Sequence, residues 1–139
     1  MKHNFKELIV WERVRLFIVD IYTLTKEYPA EEKYDLVSQM RRASISASLN
    51  IIEGTGRSTD KQLANFLDIA YGSMKEVQGC LIHSFDLGYI SQNKLEKFEN
   101  ESIELQKMLY AFREKIIKDI NENQNNINMK SNNLTSNNL

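Results

Sequence analysis

Apolar residues recur at intervals of three and four along three long segments, and no other feature of the chain constrains its fold as strongly. In each segment these positions trace one stripe on an α-helix. The stripes repeat about every seven residues, which is typical of long helices packed almost antiparallel. Their members are Val10, Val14, Phe17, Ile21 and Leu24; Leu63, Leu67, Ala70, Met74, Val77 and Leu81; and Leu95, Phe98, Leu105, Leu109, Phe112 and Ile116, with the small polar Ser102 at the remaining position of the third stripe.

Signals for helix ends lie between the stripes and predict one further helix. The first helix should end near Pro29, and two acidic residues follow this proline. Because negative charge favours a helix N-terminus, we expect the second helix to begin near Ala30 and to end at Gly54 and Gly56. The remaining signals are the Thr59–Gln62 capping box, Gly88 as a helix stop and Ser91 as a cap.

Composition agrees with an all-α fold and changes once along the chain, near residue 120. One proline and five glycines in 139 residues provide few of the turns that a β fold needs. Short connections between consecutive helices predict an antiparallel up-down-up-down four-helix bundle over residues 1–120. Residues 121–139 are rich in asparagine and contain few aliphatic side chains. We therefore expect them to form a disordered tail.

Charge and cysteine content limit the classes of function. A net charge of −1 argues against an overall positive field, so any contact with nucleic acid has to come from a local patch. The single cysteine excludes an internal disulfide and suits a reducing cytoplasm. No apolar run is long enough for a signal peptide or a membrane span, so we expect a cytoplasmic protein without a membrane partner. The candidate nucleic-acid or anion contacts are Arg13, Arg15, Arg41, Arg42 and Arg57.

Residues suited to catalysis do not form a recognisable set. The stretch from Gly54 to Thr59 lacks the spacing and the lysine of a Walker loop, so a helix stop followed by a cap explains it better. His3 and His83 have no partner four residues away, and the chain contains no Glu-x-x-His motif for a di-metal bundle. Cys80 has no neighbouring base and suits an apolar filler. We expect no enzymatic activity, no cofactor and no bound metal.

The stretch SQMRRASISASLNIIEGTGR predicts a thin second helix, because small side chains occupy most positions from Ala43 to Ser48. Gly72 and Gly79 on the third helix suggest a matching thin stripe and tight contacts between helices. Arg41 and Arg42, near the start of the second helix, point about 100° apart. We expect one of them to pair with an acid such as Glu12 or Glu53.

The first and third helices are apolar on more than one face. A monomer that left this surface exposed would be unusual, so we predict a homo-oligomer. The candidate oligomer contacts are Trp11, Ile18 and Tyr22 on the first helix and Phe66, Ile69 and Tyr71 on the third.

Several segments of the chain also match a known family. They are LIVWERV, YPAEEKYDLVSQMRRASISASLNIIEGTGR, FLDIAYGSMKEVQ and LGYIS, and the match spans about residues 5–117. The chain resembles the small four-helix-bundle proteins encoded within intervening sequences of bacterial 23S ribosomal RNA genes. The matching positions that suggest a structural role in helix packing are Arg41, Arg42, Asn50, Glu53, Gly54 and Arg57.

The resemblance implies a ring-shaped homopentamer without enzymatic activity. It also implies kinship with the accessory variability-determinant protein of diversity-generating retroelements, which works with a reverse transcriptase and nucleic acid through a basic surface. Two functions stay open at this stage. The first is a non-catalytic oligomeric scaffold whose partner is RNA, DNA or a nucleic-acid enzyme. The second is a protein-only interaction module that docks a partner helix on an apolar groove.

Overall fold

Four α-helices make up the fold in the computed structural model, which describes residues 3–137. α2 packs against α1 and α3, and α4 packs against α3 and α1, so the four helices close around one core. Residues 3–137 contain no β-strand. This arrangement confirms the all-α antiparallel bundle. The helices are α1 (Ile9–Thr25), α2 (Leu36–Thr55), α3 (Asp60–Asp86) and α4 (Gln92–Asn137), with short 3-10 turns at Phe5–Glu7 and Ala30–Glu32.

The predicted stripes form the core of the bundle. Every stripe position on α1 and α3 is buried, and those on α4 are buried or half-buried. α2 adds a line of buried residues at helical spacing, namely Met40, Ala43, Ala47, Ile51 and Gly54. Burial of these apolar side chains is the main source of stability for such a bundle.

Three of the predicted helix ends are confirmed. The Thr59 hydroxyl accepts a hydrogen bond from the backbone N–H of Gln62 at 3.2 Å, and the Ser91 hydroxyl accepts one from Lys94 at 3.2 Å. Gly88 follows α3 with a φ of 82°, a left-handed conformation that glycine adopts at little cost. The Thr59 cap fixes the start of α3, and Gly88 and Ser91 fix the two ends of the α3–α4 connection.

α2 begins at Leu36, six residues later than predicted, because residues Ala30–Glu32 form a 3-10 turn instead. The Glu32 carboxylate accepts one hydrogen bond from the backbone N–H of Leu36 at 3.3 Å and another from the Tyr89 hydroxyl at 2.8 Å. The bond to Glu32 raises the pKa of Tyr89 to about 12. Glu32 thus caps α2 from the preceding turn and ties it to the α3–α4 connection. α1 ends at Thr25, slightly before the predicted end.

The structure also differs from the disordered tail expected over residues 121–139. α4 continues without a break to Asn137, and its side chains beyond residue 120 are exposed; the last two residues lie outside the described part of the chain. The packed part of α4 has already met the cost of helix nucleation, so each added residue only extends an existing helix. Neither glycine nor proline occurs after Gly88 to stop it.

Deleting residues 121–139 is expected to leave the melting temperature almost unchanged. The described part of this segment buries no side chain, so its removal takes nothing from the core. The far-UV circular dichroism should nevertheless lose the helical signal of the deleted segment. A cooperative loss of stability on deletion would show that the extension packs against the bundle.

Close packing along α2 involves a different glycine from those predicted. An added Cβ at Gly54 would lie 2.9 Å from Leu63 Cδ1 and 2.9 Å from Phe66 Cβ, so α3 lies directly against this position. At Gly72 and Gly79 an added Cβ would meet nothing within 4 Å. The prediction of a thin stripe on α3 is therefore wrong for contacts within this chain. The small residues of α2 are confirmed as a buried line.

Candidate functional site

An open groove with a volume of about 700 Å³ runs along the outer side of α2. Its lining residues on α2 form two adjacent rows, one beginning at Val37 and one at Ser38, each with a spacing of four residues, so they share one side of the helix. Tyr22 of α1 forms one wall, and the residues just before α2 close one end. The groove is lined by Tyr22, Lys33, Tyr34, Val37, Ser38, Arg41, Arg42, Ile45, Ser46, Leu49 and Asn50.

Arg41 lies between α1 and the groove and is held by neutral groups. Its Nε donates a hydrogen bond to the Thr25 hydroxyl at 3.0 Å, and its Nη2 donates to the Tyr22 carbonyl at 3.3 Å. The guanidinium also lies 4.4 Å from the centre of the Tyr22 ring. A cation at the C-terminal end of a helix is favourable, which explains this placement. The net charge of Arg41 is not neutralised by a carboxylate.

Arg42 and Lys33 add two further positive charges to the groove. Both side chains are exposed, and the Lys33 ammonium lies 5.5 Å from the centre of the Tyr34 ring. Within residues 3–137, no carboxylate oxygen lies within 4 Å of the charged nitrogens of Lys33, Arg41 or Arg42. None of the residues that line the groove is acidic. The groove therefore has a local positive charge on a chain of net charge −1.

Two acids on α2 and α3 are engaged with other side chains. Glu53, further along α2, pairs with Arg57. Glu76 of α3 accepts a hydrogen bond from Gln39 on the edge of α2. Both carboxylates are therefore bound to side chains that do not line the groove.

The structure does not bring the five predicted arginines together. Nη2 of Arg13 donates to both carboxylate oxygens of Glu101 on α4, at 2.9 and 2.8 Å. Arg15 pairs with Glu12 at 3.3 Å. Arg57, paired with Glu53, also lies over the Phe66 ring at 4.9 Å. Only Arg41 and Arg42 of the five line the groove.

The expected pairing of Arg41 or Arg42 with an acid is wrong. Glu12 and Glu53, the predicted partners, bind Arg15 and Arg57 instead, which lie three and four residues further along the chain. Pairs at this spacing form locally, which gives them an advantage over pairs between helices. Arg41 consequently turns to the end of α1.

The predicted oligomer contacts divide into covered and exposed side chains. The Trp11 indole donates a hydrogen bond to the Ser48 hydroxyl at 3.1 Å. Ile18 and Tyr71 pack partly against the core, whereas Ile69 remains 50% exposed. The other two lie beside arginines, Tyr22 in the groove next to Arg41 and Phe66 under Arg57.

The outer side of α1 carries an apolar surface that the sequence analysis missed. Ile9, Leu16 and Val19 are 73%, 55% and 59% exposed, and their spacing of seven and three places them on one side of the helix. We call these three residues the α1 stripe. The spacing of Ile9 and Leu16 would have indicated it, but the buried stripe on the same helix has the stronger pattern. Lys33 and Tyr34 were also missed, because they lie in the turn predicted as helix.

The residues suited to catalysis are dispersed. Cys80 is buried, and burial raises the pKa of its thiol, so it stays protonated at neutral pH. His83 is exposed on α3, and the His3 ring lies edge-on to Phe112 at 5.7 Å. Across residues 3–137, no three His, Cys, Asp or Glu side chains come close enough to hold a metal ion. No helix in this part of the chain has the length and apolar character to cross a membrane.

Fold and surface together define a small four-helix bundle with a cationic groove on α2. The model of the 23S rRNA-intervening sequence protein family matches residues 6–111, and the chain belongs to this family. The match confirms the resemblance seen in the sequence. It ends before the exposed extension of α4.

Solved structures have a similar fold. One of them comes from Bacteroides thetaiotaomicron and is described as a protein with unknown function from the S23 ribosomal protein family. The two chains are 26% identical, with a TM-score of 0.71 over 76% of this chain and 96% of the other. No curated protein matches the chain.

Proposed function

We propose that this protein is a non-catalytic, cytoplasmic homo-oligomeric scaffold that works beside nucleic acid or a nucleic-acid enzyme. The α1 stripe is the observation that carries the proposal. Three aliphatic side chains on one side of a helix, each more than half exposed, favour burial against another surface. A second copy of the chain can supply such a surface, so no other protein is needed to cover it.

Five copies are the number that the family resemblance implies, and this number has a geometric consequence. Isologous contacts place the same patch on both subunits and close into pairs, whereas a five-membered ring needs a heterologous contact between two different patches. The α1 stripe supplies one patch. An exposed apolar side chain for the second patch lies on α3, at Ile69.

Nucleic acid as the partner is supported by the uncompensated charges of Lys33, Arg41 and Arg42. A protein-only module would instead recognise its partner through apolar contacts. Reversing the charge of Arg41 and Arg42 together separates the two functions. A scaffold for nucleic acid should lose its partner, whereas a protein-only module should keep it.

Replacing Leu16 and Val19 with glutamate is expected to convert the oligomer into monomers. Each substitution places a charge where an apolar contact should form, and an unpaired buried charge is strongly unfavourable. Both side chains are more than half exposed in the single chain, so the monomer should still fold. Native mass spectrometry of untagged full-length protein at low salt measures the result directly.

Ile127→Glu is the matched control for this experiment. Ile127 is 60% exposed but lies on the α4 extension, away from the α1 stripe. We expect this variant to remain oligomeric. A monomeric wild-type protein, or an oligomer unaffected by Leu16→Glu and Val19→Glu, would refute self-association through α1.

A further inference from the structure

We propose that the groove along α2 binds single-stranded nucleic acid, with its cations on the phosphates and its planar side chains against the bases. This proposal rests on the proposed function and names the site through which the scaffold would reach its partner. Charge identifies the class of ligand. Three cations and no acid line the groove, so a polyanion is the complementary occupant.

Planar groups distinguish a nucleic-acid strand from other polyanions. Tyr34 is 83% exposed at one end of the groove, and its ring is available for stacking. Further along, the Arg41 guanidinium is held near the Tyr22 ring by its bonds to α1. Arginine planes and tyrosine rings are the groups on which unstacked bases lie in single-strand sites. An acidic peptide would use the cations but would not need these planes.

The dimensions of the groove favour a single strand over a duplex. Ser38 and Leu49 lie at positions eleven residues apart along α2, about 16 Å along the helix axis. This length accommodates about four to five nucleotides stacked 3.4 Å apart. Ile45 and Leu49 form part of the lining, and such apolar contacts suit exposed bases better than the phosphate-lined outside of a duplex.

The test is fluorescence anisotropy of the full-length protein with a short fluorescein-labelled oligouridylate, and in a parallel titration with the corresponding oligothymidylate. We expect Lys33→Glu combined with Arg42→Glu to weaken binding by about tenfold or more, and Tyr34→Ala by about fivefold to tenfold. Both cations are exposed, so these substitutions should leave the fold intact.

The affinity of the wild-type protein should also fall as salt is added, with a slope of about −2 in a plot of log affinity against log salt concentration between about 50 and 200 mM salt. Equal affinities for the RNA and the DNA oligonucleotide would support a site that recognises any single strand. A higher affinity for one of them would identify the type of nucleic acid that the groove binds.

Arg57→Glu is the matched control, since it changes the net charge at a surface arginine that already has an acidic partner outside the groove. It should alter the affinity by less than about twofold. An equal loss in this variant, or tighter binding of a polyglutamate peptide or of duplex RNA, would overturn the proposal. So would a complete lack of binding at low salt. The oligomer mass of the same samples is measured as well. An intact oligomer that does not bind the oligonucleotide would contradict the groove proposal alone, whereas a monomer would contradict the proposed scaffold.

Discussion

Replacing Gly54 with alanine is expected to destabilise the protein by about 1–3 kcal/mol. The added methyl group would lie 2.9 Å from both Leu63 Cδ1 and Phe66 Cβ. The leucine atom ends a flexible side chain, but Phe66 Cβ is attached to the backbone of α3 and can move only with that helix. The contact between α2 and α3 therefore has to open. Urea denaturation at one fixed protein concentration measures the effect, since the stability of an oligomer depends on concentration.

Gly72→Ala is the matched control for Gly54→Ala. Gly72 lies inside α3 with nothing within 4 Å of an added Cβ, and alanine is a better helix former than glycine. The same substitution should here stabilise the protein by about 0.5–1 kcal/mol. A Gly54→Ala protein as stable as the wild type would show that the two helices can move apart without cost.

These two glycines show what the sequence can reveal about packing and what it cannot. The periodic patterns predicted the helices and their buried faces correctly, since a buried row such as that from Val10 to Leu24 depends only on residues close in sequence. Whether a glycine lies against a neighbour depends instead on the helix opposite it. The sequence indicated a helix end at Gly54 and a close contact at Gly72, and only the tertiary surroundings place the close contact at Gly54.

The beginning of α2 was mispredicted for a similar reason. Acidic residues after Pro29 do act at a helix N-terminus, but the helix starts beyond them because Glu32 reaches both Leu36 and Tyr89. Tyr89 lies 57 residues away from Glu32 in sequence. A local signal could indicate that a helix starts in this region but could not locate its first residue.

The candidate site was predicted in part. Arg41 and Arg42 stood out as adjacent cations, and the structure places both in the groove. Arg13 was a candidate contact on the same grounds of charge, yet it pairs with Glu101, 88 residues further along the chain. Which arginines keep an uncompensated charge is decided by contacts between helices. Charge alone could therefore not separate the groove arginines from the others.

Replacing Ala47 with leucine is expected to destabilise the protein by about 1–3 kcal/mol. Ala47 is completely buried in the middle of α2, between the larger buried residues Met40 and Ile51 on the same face. A protein interior is close-packed, so the extra atoms of leucine have no space unless α2 moves away from its neighbours. Equilibrium unfolding should show a lower midpoint with little change in the denaturant slope.

Ala111→Leu is the control, because Ala111 is exposed on α4 and the same enlargement meets no packed neighbour. Its effect should stay within about 0.5 kcal/mol. Movement of α2 would also displace the groove, whose lining residues Ile45 and Leu49 lie on the same helix on either side of Ala47. Ala47→Leu should therefore weaken oligouridylate binding without changing any charge. Unchanged stability together with unchanged binding would mean that α2 has room at this position, and the small residues of its buried face would then not be needed for close packing.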